Sequence, residues 1–122
     1  MGRMKRLSQT FYNFFNNIVP SFLENNVPTG TSYPYLTYNL TDSTAFQDNV
    51  IQVKIYDKST SFLSTINLAD QIGDIIGEGI KHDIIGGGYV YMRKGDPFAQ
   101  IVQDDDATIK TIYINIIVQI YM

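Results

Sequence analysis

The chain has 122 residues and a hydrophobic fraction of 44%, which is typical of one globular domain with one core and excludes a disordered chain. Its formal net charge is -3 and its bases cluster only at Arg3, Lys5 and Arg6, which argues against a strong nucleic-acid binder. It has no cysteine, which excludes disulfides and thiolate chemistry. No run approaches the roughly 20 apolar residues of a membrane span, and polar residues interrupt the N-terminal stretch where a signal peptide needs an apolar core. We therefore expect a soluble protein made in the cytoplasm.

The N-terminal segment predicts an amphipathic helix whose phenylalanine stripe faces the core, because its apolar residues recur at spacings of three and four. Ser8 is the expected N-cap. Pro20 should end or kink the helix near Ile18, since proline removes a backbone donor and restricts Val19. The apolar positions of this face are Leu7, Phe11, Phe14, Phe15, Ile18 and Phe22.

Two alternating segments follow a turn-rich loop at 24–34 and predict neighbouring antiparallel strands. The first covers 35–40, directly after Pro34, which fits the first position of a strand. The second covers 49–57, with Ile51, Val53 and Ile55 on one face. The polar segment between them is too long for a tight turn and is expected to be a loop.

A second helix is predicted after the candidate caps Ser59, Thr60 and Ser61, with its end between Gly77 and Gly79. Its glycines weaken it by up to ~1 kcal/mol each relative to alanine, but they permit close packing against a sheet. The predicted core face consists of Leu63, Ile66, Ala69, Ile72, Ile76 and Ile80.

The last third of the chain predicts about three strands. The run Gly86-Gly87-Gly88 is interpreted as a bulge or bend within a strand, and another strand is predicted at 98–103. An acidic turn then precedes the longest alternating segment, 108–121, whose length favours either a central position or a bend at an interface. Its two faces are predicted to carry Ile112, Ile114, Ile116, Val118 and Ile120 on one side and Tyr113, Asn115, Ile117, Gln119 and Tyr121 on the other.

The order of these elements indicates an α+β fold in a single domain, 1–122. We expect an antiparallel sheet of about four to six strands, with a mixed sheet also compatible, and two helices packed mainly on one face.

No catalytic, cofactor-binding or metal-binding constellation is recognisable in the sequence, so we expect neither enzymatic activity nor a cofactor. His82 lacks an accompanying nucleophile motif and follows a glycine-rich helix end, where histidine caps carbonyls. The glycine run lacks the spacing of a phosphate-binding loop, and the acidic turn lacks the ligand spacing of an EF-hand. The many tyrosines and phenylalanines would serve as nucleic-acid stacking platforms only in a positive groove.

The predicted elements and several short sequence segments follow one another in a particular order along the chain. An amphipathic helix ends near a proline, and a loop reaches Tyr33-Pro34-Tyr35 at the start of a strand. A second strand ends in Ile55-Tyr56-Asp57, and a serine-rich turn opens a helix bearing Leu68-Ala69-Asp70-Gln71-Ile72. An aspartate-rich turn precedes the long final strand. This order resembles the tail terminator and tail completion proteins of long-tailed bacteriophages and prophages, over nearly the whole chain except the loop at 40–49 and the triple glycine.

The resemblance implies a structural subunit of the virion tail, assembled in the host cytoplasm. Such subunits typically form a six-fold ring that caps the tail tube, ends its polymerisation and provides the surface joined to the head. The implied partners are the chain itself, the major tail tube protein and head-completion proteins, with DNA only in transit and no membrane. The alternatives are another neck subunit, such as a connector or head-closure protein, and a small-molecule binding module with a pocket between helix and sheet.

A ring subunit needs two different contact surfaces, and tyrosine-rich sheet positions are the candidates, although ordinary sheet-surface residues have the same pattern. Negative charge in a channel repels transiting DNA, so we hypothesise that Asp104, Asp105 and Asp106 face the channel. The candidate interface residues are Tyr35, Tyr38, Tyr56, Tyr113, Ile117 and Tyr121.

Overall fold

The computed structural model describes residues 2–122, which form two helices and one six-stranded sheet. The sheet has the strand order β1-β2-β3-β6-β5-β4. Its β1–β2 pair is parallel and its other neighbours are antiparallel. The predicted α+β class is therefore confirmed, with a mixed sheet. In chain order the elements are α1 (Arg3–Asn16), β1 (Ser21–Leu23), β2 (Tyr35–Tyr38), β3 (Asn49–Lys58), α2 (Leu63–Ile76), β4 (Ile80–Asp83), β5 (Tyr89–Gln103) and β6 (Ile109–Tyr121).

The core lies between the two helices and one face of the sheet. Helix α1 places Phe15 against Tyr38, with ring centroids 5.2 Å apart, and α2 contacts β3, β5 and β6. The predicted alternation of the two long strands is confirmed, as is the central position of β6 between β3 and β5. Their core-facing residues, all buried, are Ile51, Val53, Ile55, Ile112, Ile114, Ile116, Val118 and Ile120.

Helix α1 begins at Arg3 rather than at the predicted cap Ser8, with Gly2 at the N-cap and no side-chain cap. Long-range contacts stabilise the added turn, since Arg3 pairs with Asp42 at 2.8 Å. The helix ends at Asn16, before Pro20 as predicted. Phe22 lies on β1 and not on the helical stripe, because the chain turns at Pro20 and pairs beside β2.

Helix α2 ends at Ile76 with Gly77 as its C-cap, as predicted, and the Ser61 hydroxyl accepts a hydrogen bond from the Leu63 N–H at 3.3 Å. Its core face is narrower than predicted, because Leu63 and Ile66 are exposed and Ile80 belongs to β4. The buried positions are Thr65, Ala69, Ile72, Gly73 and Ile76. The predicted close packing at a glycine is present, since a Cβ at Gly73 would lie 3.1 Å from the Phe98 ring.

The interpretation of the glycine run as a bulge or bend within one strand was wrong. All three glycines have positive φ, and they reverse the chain between β4 and β5. The Ile84 N–H donates to the Gly88 carbonyl at 2.9 Å, and the Arg6 guanidinium donates to the carbonyls of Ile85 and Gly87. Helix α1 is thereby attached to this turn.

Strand β4 was not predicted, and it changes the position of His82. The histidine lies on this strand with its ring 5.3 Å from that of Phe14, so it does not cap a helix end. The strand predicted at 98–103 is the second half of β5, which has one register irregularity between Lys94 and Ala99.

Candidate interaction surface

One face of the sheet carries neither helix, and we call it the helix-free face. It consists of the β6 positions that alternate with the core residues, together with their neighbours in register on the adjacent strands. Val50 and Arg93 flank Ile117, and Lys54 lies beside Tyr113. Four of these side chains are half-buried in the isolated chain, whereas Val50 is 53% exposed.

An aromatic group lies at one end of this face, and we call it the Tyr35 cluster: Phe22, Tyr33, Tyr35 and Tyr56. The Tyr35 ring lies 5.3 Å from that of Tyr33 and 5.2 Å from that of Tyr56, and Phe22 packs edge-on at 6.1 Å. Burial raises the pKa of Tyr35 and of Tyr56. The four rings form a continuous patch through these contacts.

A second aromatic group, the Tyr121 cluster of Phe46, Tyr89 and Tyr121, lies at the other end of the face. Tyr89 stacks on Tyr121 at 4.8 Å, and Phe46 contacts Tyr121 edge-on at 5.3 Å. The Lys81 ammonium lies 4.5 Å from the Tyr89 ring centroid. Phe46 is 82% exposed with φ 67°, an uncommon backbone conformation for a bulky residue. Aromatic residues are enriched at protein interfaces, and the Phe46 side chain is accessible to a partner.

A polar network links the Tyr121 cluster to the middle of the helix-free face. The Asp48 carboxylate accepts hydrogen bonds from Arg93 at 2.7 Å and from Gln119 at 2.7 Å, and the Tyr121 hydroxyl donates to Gln119 at 2.9 Å. The hydrogen bond from Arg93, and to a smaller extent that from Gln119, lowers the pKa of Asp48. The network fixes the orientation of Tyr121 and joins the loop before β3 to the middle of the face.

The structure places five of the six candidate interface residues on the helix-free face and excludes the sixth. Tyr38 is 2% exposed and packs in the core, where burial raises its pKa to about 12. Three positions separate Tyr35 from Tyr38, so strand alternation directs their side chains to opposite faces. The residues that this face brings together are Tyr35, Tyr56, Tyr113, Ile117 and Tyr121.

Sequence reasoning missed Phe46 and Tyr89 as members of this surface. The available signal for Phe46 was a large aromatic residue in an otherwise polar loop. For Tyr89 it was the pairing with Tyr121, which depends on the position of the glycine turn.

The acidic turn, Asp104 to Asp106, is closed by its own carboxylates. The Thr108 N–H and hydroxyl both donate to Asp106 Oδ1, at 2.9 and 2.7 Å, and this lowers the pKa of Asp106. The Asp106 N–H donates to Asp104 Oδ1 at 3.0 Å. Gln103 pairs with Lys110, and Lys110 pairs with Asp57, the residue after Tyr56, so the turn and the Tyr35 cluster lie at the same end of the sheet. Within residues 2–122, no group of histidine and carboxylate side chains is arranged to hold a metal ion.

The space between helix and sheet, where a ligand pocket was an alternative, is filled by side chains. Leu7, Phe11 and Phe15 are fully buried there. A surface hollow of about 260 Å³ lies between α1 and β1 and is partly lined by Tyr12 and Phe22. That volume is below the roughly 300–1,000 Å³ of usual ligand sites. A more open hollow of about 440 Å³, partly lined by Arg3, Asp42 and Ile120, falls within that range.

The fold and this surface define a small two-layer α+β protein whose helices cover one face of the sheet and leave the other accessible to a partner. Comparison with known families finds no family model that matches the chain, and comparison with curated proteins finds no significant match. Neither of the helices described between residues 2 and 122 has the length and apolar character needed to cross a membrane.

Proposed function

We propose that this chain is a structural virion subunit of the tail-terminator kind, without enzymatic activity. In this proposal copies of the chain form a ring, with six subunits the expected number, on the end of the tail tube. The ring ends polymerisation of the tube and provides the surface to which the head is joined. Its partners are other copies of the chain, the major tail tube protein and head-completion proteins, while DNA only passes through.

The observation that carries this proposal is the helix-free face with its two different aromatic clusters. A closed ring is built from heterologous contacts, in which each subunit presents two different patches. Tyr113, near the Tyr35 cluster, and Tyr121 are eight residues apart on β6, which corresponds to roughly 27 Å at ~3.4 Å per residue. The clusters are therefore separate enough to contact two neighbours.

The composition of the two clusters also favours subunit contact. Tyrosine and phenylalanine bury large areas on association and are enriched at interfaces. The sheet's helix-free face contains Lys54, but that ammonium bonds to Glu24 at 2.8 Å and lies 5.0 Å from the Tyr113 ring centroid. The cation is therefore already paired, which lowers the electrostatic cost of covering the face.

Within this proposal the acidic turn faces the channel, where its charge keeps DNA from adhering. Two of its carboxylates also close the turn, so replacement by lysine changes both charge and local structure. Replacement of all three aspartates by asparagine is the matched control, because the amide oxygen retains an acceptor while the charge is removed. We expect the lysine variant to form rings and to hinder DNA passage. Unchanged infectivity of a phage carrying it would contradict the channel assignment.

The function is tested by adding the purified chain to polymerising tail tube protein of the same phage and measuring tube length by electron microscopy. We expect tubes that stop growing and carry a ring at one end. The variant Tyr121→Ser should lose this effect, whereas Tyr12→Ser, which alters an exposed tyrosine on α1, should retain it. Tubes of unaltered length would exclude the terminator role and favour a neck subunit that contacts other partners.

A further inference from the structure

Strands β1, β4 and β5 each have a stretch of edge that pairs on one side only, and two of these three stretches are protected. Strand β1 has only three residues after Pro20, and its Ser21 N–H donates to the Asn16 side chain at 3.2 Å. Strand β4 has four residues and exposes Lys81 and Asp83. Short length, proline and charge are the usual ways in which proteins prevent edge-to-edge pairing.

The third edge, the second half of β5, lacks charge and proline along its own five residues, with Pro97 before them and Asp104 after them. Strand β4 pairs with β5 only at Tyr89–Met92, whereas Ala99–Gln103 pairs with β6 alone. These five residues, Ala-Gln-Ile-Val-Gln, include no charge and no proline. Ile101 at their centre is 56% exposed. An edge strand of this kind presents unpaired backbone donors and acceptors to an incoming strand.

A hollow beside this edge is suited to an apolar side chain. It measures about 140 Å³ and is lined by Ile66, Ala69, Ile101 and Ile112, together with Asp70 and the adjoining β5 residues. For comparison, an apolar cavity of about 150 Å³ is large enough to bind benzene. The hollow lies on the helix side of the sheet, which is the side to which Ile101 points.

We propose that the Ala99–Gln103 edge pairs antiparallel with the same edge of a second copy of this chain, with Ile101 opposite Ile101. This register pairs all five residues of each copy, placing Gln100 opposite Val102 and Ala99 opposite Gln103. The five paired positions of each copy are uncharged, so no like charges lie directly opposite one another within Ala99–Gln103. Asp96 and the turn Asp104 to Asp106 lie outside the paired residues. Each Ile101 then lies beside the apolar hollow of the other copy. The two sheets join into one of twelve strands.

This contact is two-fold, since the same residues are used on both sides. It is therefore distinct from the heterologous contacts proposed for the ring. It uses neither aromatic cluster of the helix-free face. The pairing can accordingly be tested without reference to the tail.

The test is disulfide crosslinking, for which the cysteine-free chain is well suited. In the proposed register the two residues at position 101 are directly opposite, with Cα atoms about 4.5–5.5 Å apart, within the range that a disulfide spans. The matched control is Gln103→Cys, whose two copies are four residues out of register, or roughly 14 Å along the strand. Mild oxidation of Ile101→Cys should yield covalent dimer at least about tenfold faster than oxidation of Gln103→Cys.

Two results would overturn the proposal. One is a failure of Ile101→Cys to form dimer while its circular dichroism remains that of the unaltered chain. The other is equally rapid crosslinking of both variants, which would indicate random collision. The terminator function is measured separately by tube length, so either idea can fail while the other stands.

Discussion

Two isoleucines on opposite faces of β6 should have different effects when truncated to alanine. One substitution should mainly destabilise the single chain, and the other should mainly weaken its self-association. Ile114 is fully buried on the core face, in register with Val53 and Ala99. Truncation of a buried isoleucine to alanine costs about 2–5 kcal/mol. Ile117 lies on the helix-free face beside exposed Val50, so Ile117→Ala should cost the free chain only about 1 kcal/mol.

These free energies correspond to measurable shifts in melting temperature. At ~2.1 cal/mol/K per residue, unfolding of 122 residues carries an entropy of about 260 cal/mol/K. A loss of 1 kcal/mol then lowers Tm by about 4 °C. We expect Ile114→Ala to lower Tm by roughly 8–20 °C and Ile117→Ala by about 4 °C.

The assay is thermal and urea unfolding followed by circular dichroism, at concentrations low enough that light scattering gives the mass of one subunit. The same variants are then compared at high concentration. There, Ile117→Ala should reduce self-association while Ile114→Ala affects it only through lost fold stability. If Ile114→Ala and Ile117→Ala lowered the free energy of unfolding of the dilute chain by the same amount, the distinction between the core face and the helix-free face of β6 would be refuted.

Three further predictions concern individual side chains. Thr111 has a buried hydroxyl without a hydrogen-bond partner, so Thr111→Val should leave the free energy of unfolding unchanged or raise it by about 1 kcal/mol. If urea titration showed a clear decrease in that free energy, the hydroxyl would be hydrogen-bonded in the folded chain. An added Cβ at Gly88 would clash with the Tyr121 carbonyl oxygen, whereas one at Gly87 would meet no atom closer than 3.8 Å, so Gly88→Ala should lower Tm more than Gly87→Ala. Asp48 has a lowered pKa, so its contribution to stability is present above the ordinary pKa and is lost as pH falls through the folded-state value. Carboxyl NMR should give a midpoint below 3.8 that rises in Arg93→Gln; an ordinary midpoint would show that the ion pair does not persist in solution.

Sequence reasoning predicted best those elements in which the spacing of apolar residues alone determines which side chains are buried. Strand β6 alternates buried isoleucines with half-buried residues over nearly its whole length, and α1 carries its phenylalanines at helical spacing. Both patterns depend only on which side of the element faces the core. The helix-free face of β6 followed from the same alternation.

The elements that were missed depend on partners distant in the sequence. Strand β1 has three residues and exists because it pairs with β2. Strand β4 follows the glycines at the end of α2, and its partner lies across a turn whose positive φ values no periodicity encodes. The misassignment of Tyr38 was avoidable, because strand alternation already separates it from Tyr35.

The central claim is that the helix-free face drives self-assembly, and light scattering of the purified chain over a wide concentration series tests it most directly. We predict a mass that reaches six subunits as concentration rises, or a multiple of six where the Ala99–Gln103 edges also pair. The variant Ile117→Lys, which places a charge in the middle of the face, should remain at one or two subunits, while Tyr12→Lys on α1 should behave like the unaltered chain. A mass that never exceeds one subunit, or an Ile117→Lys variant that assembles as well as the unaltered chain, would contradict the claim.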